Sequence, residues 1–299
     1  MAVYHPLARE MEAFWASNHD GSDVLDQYQN EFSSRLITKF EEKMQEHSNE
    51  GRFGMSKTAG CTRAAALKFL GHKGEEFTGS TMFTFWLGHI CEVAAIATLE
   101  CLGHPVNGAQ EPVRIDPYMH SYSDGIIEYK GEKMILSVKS TGYKMSGKRS
   151  GKYVRQGFAE LPFGGVMKVQ PSWWTQSQAE MHGSGIPKTL IVVVAKDIVK
   201  AFDDDEYLGP NGNGSLTFYV EEIAYSREWC ERFLLPTWQH TWDSVQQGVA
   251  GTPLFVNKDT LRYVALERGN INRMPNAERT GTYSPCAYCD FVVPCTQTP

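Results

Sequence analysis

Ser121-Tyr122-Ser123-Asp124-Gly125-Ile126-Ile127-Glu128-Tyr129-Lys130-Gly131-Glu132-Lys133-Met134-Ile135-Leu136-Ser137-Val138-Lys139-Ser140 is the stretch whose reading decides the fold. Residues 121–129 and 133–140 have strand character. The link Lys130-Gly131-Glu132 favours a tight turn, so an antiparallel hairpin is expected. Pairing about Gly131 places Asp124 close to Lys139 across the strands and turns Ser137 and Lys139 to one face. A carboxylate and a lysine at a hairpin end can bind a divalent cation and orient a water on a phosphodiester. The cation acts as Lewis acid, while the lysine positions the water and offsets developing charge.

Working outward, residues 81–102 read as a long, mostly apolar helix, expected to be buried on most faces. His89 and Glu92, three apart, are neighbours on it, and burying both is costly unless they meet a partner or a metal. Residues 23–50 place Leu25, Tyr28, Phe32, Leu36, Phe40 and Met44 at helical spacing. Further strands are expected at 112–115, 189–195 and 216–221, the second fully buried, and helices at 62–70, 172–181 and 226–247. Neither a repeat nor a linker breaks the pattern. One elaborated α/β domain over 1–299 is expected, with a helical extension (1–58), a core (59–255) and a tail (256–299).

From Lys139 to Arg155 the chain carries Lys139, Lys144, Lys148, Arg149, Lys152 and Arg155 with no acid, interleaved with Tyr143, Tyr153 and glycines. This stretch reads as a loop able to track a nucleic-acid backbone. The net charge of -6 argues against indiscriminate nucleic-acid coating, but binding follows the local patch. Tyr143, Tyr153, Trp173 and Trp174 are available for base stacking, although the paired Trp also suit a core. No run approaches the apolar length of a membrane span, so a cytoplasmic protein without membrane contact is expected.

The tail holds Cys286, Cys289 and Cys295 at C-x2-C-x5-C spacing, a metal-binding knuckle one ligand short of a closed site. Cys61, at the head of the helix expected over 62–70, is the candidate fourth ligand. Zinc and an iron-sulfur cluster are both open on this evidence. A disulfide framework is not expected from an odd count of 7 cysteines in 299 residues. Cys91, Cys101 and Cys230 lie in apolar helical stretches, where cysteine is usually a small buried hydrophobe.

Taken in order, Cys61 before a short helix, Gly88-His89 with Glu92, Asp124-Gly125, Ser137-Val138-Lys139, the helix Trp173-Trp174-Thr175-Gln176-Ser177-Gln178, and finally Cys286, Cys289 and Cys295 resemble the PD-(D/E)xK nuclease superfamily. Within it they resemble the RecB-like exonucleases that carry a 4Fe-4S cluster, including CRISPR-associated and phage-encoded relatives. The resemblance implies a restriction-endonuclease-like α/β fold, a mixed sheet core flanked by helices, with the C-terminal cysteine cluster closing on the N-terminal cysteine. It implies Mg2+ or Mn2+ held by His89, Asp124 and the Val138 carbonyl, Lys139 as a catalytic residue, and Gln176 orienting the site or DNA. The four cysteines would hold a 4Fe-4S cluster, with zinc as the alternative. The implied activity is metal-dependent exonucleolytic hydrolysis of DNA, on single-stranded ends, with a recombination, replication or CRISPR-related protein as partner.

The chain departs from that pattern at Ser137, where the family carries Glu or Asp. A serine hydroxyl is a poor substitute for a carboxylate on a hard cation. Glu92 is the first candidate to supply the missing acid and Glu160 the second. Glu128 is poorer, four strand residues or roughly 13 Å from Asp124. The alternative is a nuclease-fold subunit that binds DNA ends or recruits a partner with weak or no catalysis.

Overall fold

The computed structural model describes residues 5–17, 23–44, 53–54, 60–74, 78–108, 112–115, 119–149, 152–196, 217–257, 259–265, 289 and 295. Its helices are α1 (Pro6–Ser17), α2 (Asp23–Met44), α3 (Thr62–Phe69), α4 (Gly79–Cys101), α5 (Leu161–Val169), α6 (Pro171–Ser184), α7 (Arg227–Trp229) and α8 (Leu235–Gln246). Its strands are β1 (Phe53–Gly54), β2 (Val106–Asn107), β3 (Pro112–Ile115), β4 (Met119–Tyr122), β5 (Gly125–Tyr129), β6 (Glu132–Thr141), β7 (Tyr143–Arg149), β8 (Lys152–Gly157), β9 (Lys188–Ala195), β10 (Phe218–Ala224), β11 (Leu254–Asn257) and β12 (Arg262–Ala265).

The unbroken apolar run of β9 cannot face water on either side, and it sits near the centre of a five-stranded sheet ordered β10-β9-β6-β5-β2. β6 and β9 are parallel, while β5–β6 and β9–β10 are antiparallel, so the sheet is mixed. Alternation sends Ile191 and Val193 to a core with α3, α5, α6 and α8, and Leu190, Val192 and Val194 to a second core with α1 and α4. The fold is therefore α/β, a mixed sheet flanked by helices, as expected.

The hairpin forms as read. Lys130 and Gly131 both take positive φ (53° and 76°), the conformation of a two-residue turn matched to strand twist. Yet residues 121–129 are not one strand. β4 belongs to a small sheet with β3 and β1, and the chain turns at Ser123-Asp124 before β5. Gly125 makes this corner close: a Cβ there would lie 2.3 Å from Val106 Cγ1.

Three other expectations change. The basic stretch is an antiparallel hairpin, β7–β8, and not a loop; its charge hid the β-forming Tyr143, Tyr153 and Val154. The helix expected over 226–247 is broken by a π segment, Cys230–Leu234, just before Pro236, which has no N–H to donate. Helix α4 is buried only in its C-terminal half, through Ala95, Ile96 and Leu99. Met82, Phe83, Phe85, Leu87 and Ile90 are exposed. By length and composition α4 could also cross a membrane, against the expectation that no run could. Cys230 is buried, whereas Cys91 and Cys101 are half-buried.

Candidate active site

The corner before β5 and the C-terminal end of β6 meet at one end of the sheet. There the Val138 amide donates a hydrogen bond of 2.7 Å to Asp124 Oδ2. Burial pushes the Asp124 carboxyl up to about 7. The charges of Glu92 and Glu180 add to that shift, while Lys139 and the Val138 amide oppose it. Asp124 and Lys139 are thus brought together as the hairpin pairing predicted, and the charge of Glu92, the first candidate for the missing acid, reaches them from α4.

Beside them opens a cavity of about 600 Å³, lined by Gly88, His89 and Glu92 of α4, Val138, Lys139 and Ser140 of β6, Trp173 of α6, and Lys196 just past β9. His89 Nδ1 lies 3.4 Å from Glu92 Oε2, and its ring stands edge-on to Trp86 at 5.7 Å. Lys39 on α2 reaches Glu92 Oε1 at 2.5 Å. Burial presses the Glu92 carboxyl upward, but the His89 hydrogen bond and the Lys39 charge outweigh it and hold the group below its ordinary value. Of the acids considered for the Ser137 gap, Glu92 is the one whose charge reaches Asp124. Glu128 is exposed opposite Lys133, and Glu160 ends the short turn Phe158–Glu160.

Ser137 is buried, 2% exposed, on β6 next to Val138. Gln176 on α6 points inward: its Nε2 donates to Glu180 Oε1 at 2.8 Å, as does Ser121 Oγ at 2.8 Å. Glu180, 2% exposed, escaped the sequence reading, although its i,i+4 spacing from Gln176 was a legible signal. Lys39 and Lys196 were also missed, because nothing local ties them to the hairpin. Trp174 is a core residue, edge-on to Trp229 at 4.9 Å, while Trp173 lines the cavity. The backbones of Lys144, Lys148, Arg149, Lys152 and Arg155 lie on β7 and β8; their side chains fall outside the described residues.

Away from this site, Cys61 caps α3 and is half-buried. Burial pushes its thiol up to about 11; backbone N–H groups of Ala64 and Arg63 pull it down, and the fields of Cys289 and Cys295 push it further up. Arg63 is 1% exposed and donates to Gly251 O at 2.8 Å and Cys295 O at 3.5 Å. Thr62 Oγ1 donates to Thr252 O and accepts from Leu254 N, both at 3.0 Å. These bonds dock residues 251–254 on the head of α3, and Arg63 alone ties Cys295 of the tail to it. Cys286 lies outside the described residues.

The donors suit the groups implied for them: carboxylates and an imidazole for a divalent cation at Asp124, and thiols for a soft metal at Cys61. Among the described residues, however, no three His, Cys, Asp or Glu side chains already form a metal cage. Glu92 is engaged by Lys39 and His89 instead.

No protein-family model matches the chain, and no curated protein sequence matches it. Among solved structures it is similar to the alkaline exonuclease LHK-Exo of Laribacter hongkongensis, with a TM-score of 0.42 and 11% identity over 74% of this chain and 93% of that one. It is also similar to a phage-related exonuclease of Haemophilus somnus 129PT, with a TM-score of 0.40 and 13% identity over 66% and 92%. For SSO0001 the TM-score is 0.39 and the identity 13%, over 89% and 96%.

Proposed function

We propose that the chain is a divalent-metal-dependent deoxyribonuclease of the PD-(D/E)xK superfamily, of RecB-like type, which hydrolyses phosphodiester bonds from single-stranded DNA ends. The observation that carries this reading is the Asp124 carboxylate. It is held by the Val138 amide, and the charges of Lys139 and Glu92, which both line the open cavity, act on it. Burial and the Glu92 charge raise the proton affinity of the Asp124 carboxyl, and a cation bound beside it would relieve both. Asp124 and Glu92, with His89 and the Val138 carbonyl, would hold Mg2+ or Mn2+. The ion would lower the pKa of a water and polarise the phosphoryl oxygen. Lys139 orients the attacking water and offsets the charge that builds on the phosphate. Gln176 and Ser121 hold Glu180 beneath the site, and Lys39 holds Glu92 in place.

For the tail, the reading is a 4Fe-4S cluster on Cys61, Cys286, Cys289 and Cys295, with zinc as the alternative. The field of Cys289 and Cys295 at the Cys61 thiol and the Arg63 tie to Cys295 support it. Visible absorbance of protein purified without air separates the two metals.

The test of the reaction is digestion of end-labelled single-stranded and duplex DNA in Mg2+, Mn2+ or EDTA. Mononucleotides released from single strands in either metal, and none in EDTA, are expected. A cluster-loaded protein that binds DNA but releases nothing would instead establish the end-binding subunit. That rival is favoured by the neutral Ser137 and by the capture of Glu92 by Lys39.

A further inference from the structure

Met82, Phe85, His89 and Glu92 follow one another along α4 at steps of three, four and three, so they share one face. All four line the cavity. The row spans about 15 Å at the rise of an α-helix and changes character along its length. His89 and Glu92 stand at the catalytic end. Met82 and Phe85, each 45% exposed, stand at the other end. Trp173 lines the same cavity from α6.

The floor of this row is basic and hydroxylic. Lys196 reaches over from the end of β9, its Nζ 3.3 Å from the Thr84 carbonyl. A Cβ on Gly88 would lie 3.6 Å from Ser140 Oγ and 3.9 Å from Lys196 Nζ. Ser140 and Lys196 therefore bracket the bare helix surface between Phe85 and His89. Lys139 follows next along β6.

We propose that this wall seats an unpaired DNA strand. Bases stack on Phe85 with Met82 and Trp173, the intervening phosphate is held by Lys196 and Ser140, and the backbone then reaches Asp124 and Lys139. Aromatic faces alternating with cations are the chemistry that holds single strands without reading sequence. A lipid surface or an apolar protein partner fits less well, because covering this face would strip water from the charged Lys196 and from His89. The seat rests on the nuclease reading for its substrate and deepens it: the strand runs along α4, not along the basic hairpin β7–β8.

The test is binding of fluorescent dT12 in EDTA, where nothing is cleaved. Phe85→Ala and Phe85→Leu should each weaken binding about tenfold, the loss of one stacked base, and Phe85→Trp should retain it. Lys196→Gln should weaken binding and reduce the salt slope by about one. Blunt duplex should not respond to Phe85. Parent-like dT12 binding by Phe85→Leu would overturn stacking and leave a merely apolar patch. Parent-like binding by all the variants would overturn the seat. Sedimentation of the parent with phosphatidylcholine and phosphatidylglycerol vesicles, lost in Phe85→Ala while dT12 affinity is unchanged, would overturn it in favour of a membrane. Digestion in Mn2+ is read separately: a parent that binds dT12 as described yet never cuts DNA keeps the seat and loses the nuclease.

Discussion

The Lys39 ammonium of α2 lies 2.5 Å from one carboxylate oxygen of Glu92 on α4, while the other oxygen faces His89 at 3.4 Å. Lys39 is 8% exposed, so the pair is shielded from solvent screening. About one turn earlier on α2 and two turns further along α4, Arg35 pairs with Glu100, and in the opposite direction Phe40 stacks on Trp86 at 4.4 Å. The N-terminal helix thus reaches into the candidate active site, where its lysine stands against the acid proposed to bind a cation.

Breaking this pair should show itself first in stability. Lys39→Met leaves Glu92 buried and charged without its partner, a defect of about 3–5 kcal/mol. In EDTA the variant should melt well below the parent. Mn2+ should recover more of that loss than it adds to the parent, because the cation takes the place of the ammonium. Lys39→Met/Glu92→Gln should melt near the parent. An unchanged melting temperature for Lys39→Met in EDTA would show that the pair does not hold α2 to α4.

At the hairpin end, Asp124→Ala and Lys139→Ala should each abolish DNA cleavage while circular dichroism keeps the parental spectrum. Digestion at the parental rate by both variants would place the active site elsewhere.

The Asp124 carboxyl, raised from 3.8 to about 7 chiefly by burial, predicts a pH dependence. Between those values the folded state keeps a proton that the unfolded state has released. Stability in EDTA therefore falls as pH rises from about 4 to about 7, and this group adds nothing above that. Asp124→Asn does not titrate, so the parent's melting temperature relative to that variant should decline across the window. Excess Mn2+ should flatten the decline, as the cation replaces the proton. A difference independent of pH in EDTA would return Asp124 to an ordinary carboxylate.

Ligand counting at the tail predicts that Cys61→Ala loses as much bound iron and thermal stability as Cys286→Ala, since each leaves an incomplete site. Cys91→Ala, whose half-buried sulfur packs against the second core, should keep its iron. Iron content unaffected by the loss of Cys61 would mean that another residue closes the cluster.

Glu92→Gln should lose metal-dependent cleavage nearly as completely as Asp124→Ala, because the amide keeps the shape and removes the charge. Ser137→Glu should partly restore it, as the register past Gly125↔Leu136 sets position 137 beside Asp124. Normal cleavage by Glu92→Gln, together with a sharp gain from Ser137→Glu alone, would mark the natural site as a weakened one.

The local elements were legible in the sequence because their causes are local. Strand-forming residues on either side of Lys130-Gly131-Glu132 specified the β5–β6 hairpin, and with it the approach of Lys139 to Asp124; the apolar run of β9 specified a buried strand. His89 and Glu92 could be paired from helical spacing alone. What only the tertiary structure decided are the meetings between elements distant in sequence. Lys39 reaches Glu92 across 53 residues, Glu180 comes up beneath Asp124 from α6, and Lys196 faces Gly88 from β9. The same limit explains the misreading of α4: hydropathy gives the apolar content of a helix, but whether it faces a sheet or a cavity depends on where the sheet ends. Burial and charge at a site are sums over neighbours that packing supplies, so the chain alone could name Asp124 and Lys139 but not the field in which they stand.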